Sequence, residues 1–424
     1  MKRIYQMTND EMNDFVLKYL PYNEKGKKDG GEVFTPVALI EKMLDELNVE
    51  VWGNPLLKWL EPTCGVGNFM VRVYLRLMDG LSAWEPDLIK RSKHIIGNML
   101  YMVELNEANA EICRSLFGGL SNVKCMDILD ILDSCSDIFD IFDSSFDMSL
   151  YLGMSRCFDI ILGNLPFQSK SCLGGKSKLY EKITLHCLQL LKSGGYMLLI
   201  TPDNIFSGGS KVYKQLVENK VSIINLDKQN QPFFPGIQQY ICYFLLCKCP
   251  SSGATVVKKN DGKPMTLLLR DRVINPVRNW NEKTEELICK YISEEANNVV
   301  YNRGKNLSHY LKYNPHLVQD GKAYELIYTP EKMLYTYDKH LYVGGGVKKI
   351  IVFSISTRLE FKEDLSGQYG VGPNTFYIPV STDEEGKRWI RFLESDEYKT
   401  IALATKTNRQ FLKNTFIQHL ICPN

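Results

Sequence analysis

In the first 250 residues, short apolar runs alternate with stretches whose apolar positions recur every three or four residues. Leu56 to Leu60 reads as a buried strand, followed by a glycine turn and a helical pattern from Met70 to Met78. Leu100 to Val103 and Val123 to Met126 read as two further strands, with a helical pattern from Glu107 to Leu116 between them. Asp159 to Leu162 makes a fourth strand. A helix from Tyr180 to Leu191, stopped by Gly194-Gly195, leads into a strand from Tyr196 to Thr201. A helix from Lys211 to Glu218 and strands Val221 to Leu226 and Tyr240 to Cys247 complete the series. Strands that are apolar throughout are covered on both faces, so the pattern predicts a doubly wound α/β sheet.

Ahead of this series, Asn9 or Asp10 can cap a short amphipathic helix through Leu20, and residues 22–31 form a polar, Gly- and Lys-rich linker. Thr35 is then placed as an N-cap and Pro36 as the first residue of a helix from Val37 to Leu47. From about Ala254 the pattern changes to short apolar runs between Gly, Asn and Pro. Examples are Leu341 to Val343, Lys349 to Phe353 and Thr375 to Ile378, with a helix expected from Glu385 to Leu393. Two domains are therefore expected: residues 1–250, with 1–31 as an N-terminal helix and linker, and a mixed α+β domain over 251–424.

Composition excludes several classes. The 44% hydrophobic and 24% charged residues are those of an ordinary globular chain. Its 12 cysteines are scattered, with Cys247 and Cys249 the one close pair and no C-x-x-C, whereas zinc ligation needs clustered ligands. Free, mostly buried thiols are expected, and with them a reducing, intracellular compartment, the cytoplasm or the nucleoid. Met1 to Asp14 is polar and carries acids, so no secretory signal is expected, and no stretch approaches the length of a membrane span. Charge is unevenly divided. From Ser251 onward there are 25 Lys+Arg against 20 Asp+Glu, while the first 250 residues hold 26 against 29. A modestly basic second domain suits nucleic acid, and an ordinary solvated surface equally.

The chemistry gathers at strand ends, where ligands bind in such sheets. After the first strand comes Glu61-Pro62-Thr63-Cys64-Gly65-Val66-Gly67-Asn68-Phe69. Gly65 and Gly67 permit close backbone approach, but the third glycine of the dinucleotide fingerprint is missing. Glu61 would repel a pyrophosphate and welcome an ammonium, such as that of an amino-acid ligand. Glu104, after the second strand, is placed to accept bonds from a ribose diol. Asp127, after the third, can accept from an adenine amino group while Ile128 lies on the ring. Each acid alone could be a cap or a turn former. After the fourth strand stands Gly163-Asn164-Leu165-Pro166-Phe167: an amide acceptor, a rigid turn and an aromatic face, suited to a flat base with an exocyclic amine. An ordinary strand followed by a proline turn is the plainer reading of those residues.

Taken together, these residues resemble the S-adenosylmethionine-dependent DNA methyltransferases that modify exocyclic amines. More narrowly they resemble the gamma group that makes N6-methyladenine, the TaqI-like enzymes. In that family a Phe-Thr-Pro segment, here Phe34-Thr35-Pro36, precedes a Glu-Pro-x-Cys-Gly-x-Gly-x-Phe loop, two acids, and Asn-Pro-Pro-Tyr/Phe. The order is matched from roughly Gly30 to Lys248. The resemblance implies that the methionine end of the cofactor lies near Phe34, Thr35, Glu61 and the loop residues Thr63, Gly65 and Gly67. It puts the ribose near Glu104 and the cofactor adenine near Asp127 and Ile128. A target adenine flipped from double-stranded DNA would be gripped by Asn164 and the Leu165 carbonyl beside Pro166, and stacked on Phe167. Phe234, or Phe233, would contact that base from the loop before the last strand, or pack inside.

The resemblance also implies a monomer with no metal and a C-terminal target-recognition domain, with a separate cognate restriction endonuclease as a partner. Leu165 departs from the family, which has proline there; a backbone carbonyl survives the change, and one rigidifying ring is lost. Two alternatives use the same fold: a methylase of RNA or of protein glutamine, and a DNA-binding homologue with weakened turnover. Among the remaining segments, residues 127–143 read as a duplicated acidic surface insertion, and residues 169–178 as a basic lid. Lys170 stands where a phosphate loop needs its first glycine. In the second domain Lys348, Lys349, Arg358, Lys406 and Arg409 are candidates for phosphates, and Asn374 or Gln410 for a base edge.

Overall fold

The computed structural model describes residues 4–8, 10–12, 14, 18, 35–130, 158–167, 169–170, 176–207, 211–227, 240–251, 253–259, 263–269, 272, 275, 280–293, 295, 300–301, 316–318, 323–353, 359–372, 375–405 and 414–421. They form two compact units: Met1–Ile205 with Lys211–Arg270, and Phe206–Ser210 with Asp271–Asn424.

The first unit opens with α1 (Val37–Leu44), β1 (Trp59–Glu61), α2 (Asn68–Gly80), α3 (Leu88–His94), β2 (Leu100–Glu104), α4 (Glu107–Phe117), β3 (Asn122–Cys125) and β4 (Phe158–Asn164). A short antiparallel ribbon, β5 (Ser169–Lys170) with β6 (Lys176–Ser177), follows. Then come α5 (Leu179–Leu190), β7 (Leu191–Pro202), α6 (Lys211–Glu218), β8 (Asn219–Asn225), β9 (Ile241–Pro250), β10 (Thr255–Lys258) and β11 (Met265–Leu267). Nine strands make one sheet, in the order β11-β10-β8-β9-β7-β4-β1-β2-β3. The five from β3 to β7 are parallel, and β9 is inserted antiparallel between β7 and β8. This is a Rossmann-like sheet of the methyltransferase type. Its chain winds outward in both directions from the adjacent pair β1 and β4, which makes the carboxyl ends of those two strands the switch point.

Burial explains the central strands. Every residue of β2 is buried, and β4 is buried except at Asp159 and Asn164. The helices cover the sheet through apolar stripes, Leu39, Ile40, Met43 and Leu44 on α1 and Phe69, Met70, Val73 and Leu77 on α2. Trp52 stacks on Trp59 at 4.9 Å between ring centroids, and Arg76 lies over the Trp52 ring at 5.3 Å. An aromatic pair of this kind adds about 0.5–1.5 kcal/mol beyond its buried area.

Several boundaries differ from the sequence expectation for physical reasons. The first strand starts at Trp59 because pairing with Leu100 and Ile160 starts there; Leu56 is 80% exposed. Pro36 occupies the cap position of α1 in an extended conformation, with no side-chain cap, so Thr35 is not the N-cap. β3 ends at Cys125, which leaves Asp127 in the turn beyond, its Oδ1 accepting from the Leu129 amide at 2.9 Å. β10 pairs parallel to β8 and buries Val257, so the sheet continues past residue 250 and the first unit runs to Arg270. Among the described residues, no helix is long and apolar enough to cross a membrane.

The second unit contains α7 (Glu282–Tyr291), β12 (Val300–Tyr301), β13 (Tyr324–Thr329), β14 (Lys332–Thr336), β15 (Lys349–Phe353), β16 (Phe361–Asp364), β17 (Gly370–Val371), β18 (Thr375–Pro379), α8 (Asp383–Glu394), α9 (Asp396–Thr405) and α10 (Asn414–Gln418). Its sheets are β12-β18-β15-β16 and β14-β13-β17. Ile350, Val352, Phe376 and Ile378 face Trp389, Phe392, Tyr398 and Phe416 in one core. The apolar run Leu341 to Val343 lies in a turn. Lys349 and Asp364 face each other where β15 pairs with β16, and both side chains are fully buried and bonded. Lys349 is thereby removed from the candidate phosphate contacts, and Lys348 pairs with Asp383 at 2.6 Å.

Candidate active site at the carboxyl ends of the central strands

β1 delivers Glu61 to the switch point, where it is only 2% exposed. Its carboxyl is pushed well above the usual carboxylate range by burial, then by the neighbouring Cys113 and Glu104, against one opposing hydrogen bond from the Met70 amide. Oε2 of Glu61 has no hydrogen-bond partner among the described residues.

The loop after Glu61 is stitched to the neighbouring strand end. The Cys64 amide donates to the Val103 carbonyl at 2.9 Å, and the Gly65 amide to Oε2 of Glu104 at 2.7 Å. Oε1 of Glu104 accepts from the Asn106 amide at 2.9 Å, which orients the carboxylate at the end of β2. The Met126 amide donates to the Glu104 carbonyl at 2.9 Å, drawing the turn that holds Asp127 and the buried Ile128 to the same edge. Gly67 needs its glycine twice over. Its φ is +83°, and a Cβ there would lie 3.1 Å from Sγ of Cys113 on α4. The Cys64 and Cys113 sulfurs are 3.8 Å apart, and their hydrogen bond, with burial, pushes the Cys64 thiol up.

β4 ends beside this loop. Oγ1 of Thr63 donates to the Asn164 carbonyl at 3.1 Å, tying the glycine loop to the Asn-Leu-Pro-Phe segment. Gly163 has φ +150°, a conformation open to glycine, as the chain leaves the strand. Leu165 is 2% exposed and its amide donates to the Ile200 carbonyl at 3.3 Å. The leucine therefore fills a pocket and makes a bond that a proline nitrogen cannot. Phe167 is partly buried against the core of the first unit.

Glu61, Thr63, Gly65, Gly67, Glu104, Asp127 and Ile128 thus lie along three adjacent parallel strand ends, with Asn164 to Phe167 at the end of a fourth. Thr35 is buried nearby, its carbonyl accepting from the Asn68 side chain. Phe34, Phe233 and Phe234 lie outside the described residues, as do most of the N-terminal helix, the linker, residues 131–157 of the acidic stretch and residues 171–175. In the second domain Arg358, Asn374, Lys406, Arg409 and Gln410 are outside them too. Asn68 was missed by sequence reasoning. Its one local signal is an amide in the first turn of an otherwise apolar helix.

The fold and the strand-end site define the class, a Rossmann-like methyltransferase-type domain. Comparison with known proteins narrows it. Residues 98–234 match the Eco57I restriction-modification methylase family, a span that includes Glu104, Asp127 and the Asn164 segment. An uncharacterized adenine-specific methylase of Mycoplasma pneumoniae is 44% identical over 86 residues, which are 20% of this chain and 20% of that protein. These matches support the resemblance to adenine-modifying DNA methyltransferases, without singling out the gamma group.

Among solved structures, the ATP-dependent Type ISP restriction-modification enzyme LlaBIII bound to DNA has a TM-score of 0.55 at 12% identity. That alignment covers 95% of this chain and 39% of that one. A nuclease-deletion mutant of the Type ISP enzyme LlaGI, in complex with a DNA substrate mimic, has a TM-score of 0.54 at 13% identity, covering 96% and 47%. The Type IIL enzyme MmeI in complex with DNA has a TM-score of 0.50 at 12% identity, covering 92% and 68%. At these identities the likeness is one of fold. The chain spans less than half the length of the two Type ISP enzymes.

Proposed function

We propose that the chain is a DNA methyltransferase that transfers a methyl group from S-adenosylmethionine to N6 of adenine in double-stranded DNA. The observation that carries this reading is the Thr63–Asn164 link, which holds an Asn-Leu-Pro-Phe segment against a glycine loop headed by a buried, under-bonded Glu61. Glu61 suits the ammonium of the amino-acid end of the cofactor, because ionising a carboxyl so deeply buried requires a nearby cation. Glu104 would take the ribose and Asp127 with Ile128 the adenine. The bound cofactor supplies an electrophilic methyl sulfonium.

The work of the chain itself is binding and orientation. The Asn164 amide oxygen and the Leu165 carbonyl accept from the adenine amino group, which raises electron density on nitrogen and fixes its direction. Phe167 stacks on a base turned out of the duplex, since the amine is out of reach inside it. By the family resemblance, contact with that base is assigned to Phe234, or to Phe233. The second unit reads the target sequence, and a separate restriction endonuclease cuts the same sequence when it is unmodified.

Asn164→Ala tests the assignment. Transfer from labelled cofactor should fall by roughly a hundredfold or more, as for loss of one preorganised polar contact in the transition state. Cofactor affinity should stay within about twofold, since Asn164 is assigned to the base and not to the donor. A variant that loses cofactor binding instead would show that Asn164 is misassigned.

A further inference from the structure

Asn68 is the first residue of α2, directly after the left-handed Gly67, and is only 5% exposed. Its Nδ2 donates to the Thr35 carbonyl, which fixes the orientation of the amide, because a carbonyl oxygen there can only accept. The other half of the group, Oδ1, then has no hydrogen-bond partner among the described residues. Two residues further along, the Met70 amide donates to the Glu61 carboxyl. The first turn of α2 thus joins two buried groups. On one side is the Thr35 peptide, and on the other is Glu61, whose Oε2 also lacks a donor among the described residues.

Two buried acceptors without donors among the described residues, one on the first turn of α2 and the other bonded to that turn, are costly unless something brings hydrogens to them. A primary ammonium brings three. A purine or a ribose does not match the pair as well, since a carboxyl so buried is stabilised in its charged form only by a cation. We infer that Asn68 is a cofactor-binding residue that selects for the amino-acid end. Its Nδ2 sets the Thr35 peptide, and its Oδ1 shares the α-ammonium with Oε2 of Glu61. This rests on the cofactor reading above and adds to it a second acceptor, supplied by the helix rather than the strand.

The test compares two nucleosides by titration calorimetry on the full chain: S-adenosylhomocysteine, which carries the amino-acid end, and 5′-deoxy-5′-methylthioadenosine, which lacks it. The wild-type chain should bind the first more tightly. In Asn68→Ala that preference should shrink by about tenfold, the scale of one hydrogen bond to a charged group, while affinity for methylthioadenosine stays within about twofold. Asn68→Ser, whose hydroxyl can still accept, should keep part of the preference and stands in if the alanine variant does not fold. An unchanged preference in both variants overturns the inference, and so does an equal loss for both nucleosides, which is the mark of a purely structural residue. If the wild-type chain binds neither nucleoside, the cofactor reading itself fails and takes this inference with it.

Discussion

Each unit of the molecule buries a carboxyl, and the two are treated in opposite ways. In the second unit Asp364 is surrounded by donors. The Lys349 ammonium, the Ser366 hydroxyl at 3.2 Å, the Gln368 amide at 2.9 Å and the Tyr369 amide at 3.0 Å all point at it. Burial opposes its charge, but Lys349 and the two amides prevail and hold the carboxyl below its ordinary value near 3.8. In the first unit Glu61 receives the Met70 amide and has no counter-charge among the described residues; burial, then Cys113 and Glu104, pushes its carboxyl well above 4.5. A satisfied network belongs to the architecture of a hairpin. An unsatisfied one at a strand end costs stability in the unliganded protein, and it fits the cofactor site proposed there.

The contrast can be broken most forcefully at Lys349. Lys349→Met leaves Asp364 buried and unpaired, and should destabilise the second unit by about 3–5 kcal/mol in denaturant titration. Lys349→Met combined with Asp364→Leu should recover part of that loss, because the uncompensated charge is gone. A single variant within about 0.5 kcal/mol of wild type would mean the pair contributes nothing specific.

A smaller effect, of opposite sign, is expected at Glu61. A carboxyl whose folded pKa is raised favours the folded state below its unfolded pKa, and that contribution is lost as pH rises through the folded value. Unliganded protein should therefore lose stability through this group as pH climbs above about 4.5. Asp364 acts the other way, its contribution being present above 3.8 and lost as pH falls through its depressed value. Glu61→Gln should raise the melting temperature at neutral pH by a few degrees and flatten the fall with pH. A melting temperature lowered by that variant at neutral pH would contradict the assignment.

The smallest signal is the proton itself. Binding of an ammonium-bearing cofactor should ionise Glu61, so calorimetry in buffers of different ionisation enthalpy should show up to about one proton released by wild type and none by Glu61→Gln. Equal release by both would place the ionising group elsewhere.

Much of the first unit was legible from pattern, because strands buried on both faces are apolar throughout and end where polar residues return. That is why β2 is read to within one residue and β4 over its buried middle, while the helical period gives α6 residue for residue. What sequence missed depends on contacts made at a distance. Leu56 is as apolar as its neighbours but has no strand opposite it. Thr35 has the chemistry of a cap, yet Pro36 occupies the cap position and the Thr35 carbonyl serves Asn68 instead. Lys349 resembles any surface lysine until the pairing of β15 with β16 sets it opposite Asp364. Leu165 is a departure from the family pattern in sequence. In the structure it is a buried side chain and an amide bond to Ile200, two contacts that a proline does not make in the same way.

The most direct measurement is chemical. The purified chain is incubated with labelled S-adenosylmethionine and, in parallel, with unmethylated double-stranded DNA, RNA and protein, and each product is digested to its units. Label is expected in N6-methyldeoxyadenosine from DNA, abolished by Asn164→Ala. Label in guanine, in RNA or in glutamine would contradict it, as would cofactor binding with no transfer to any of the three.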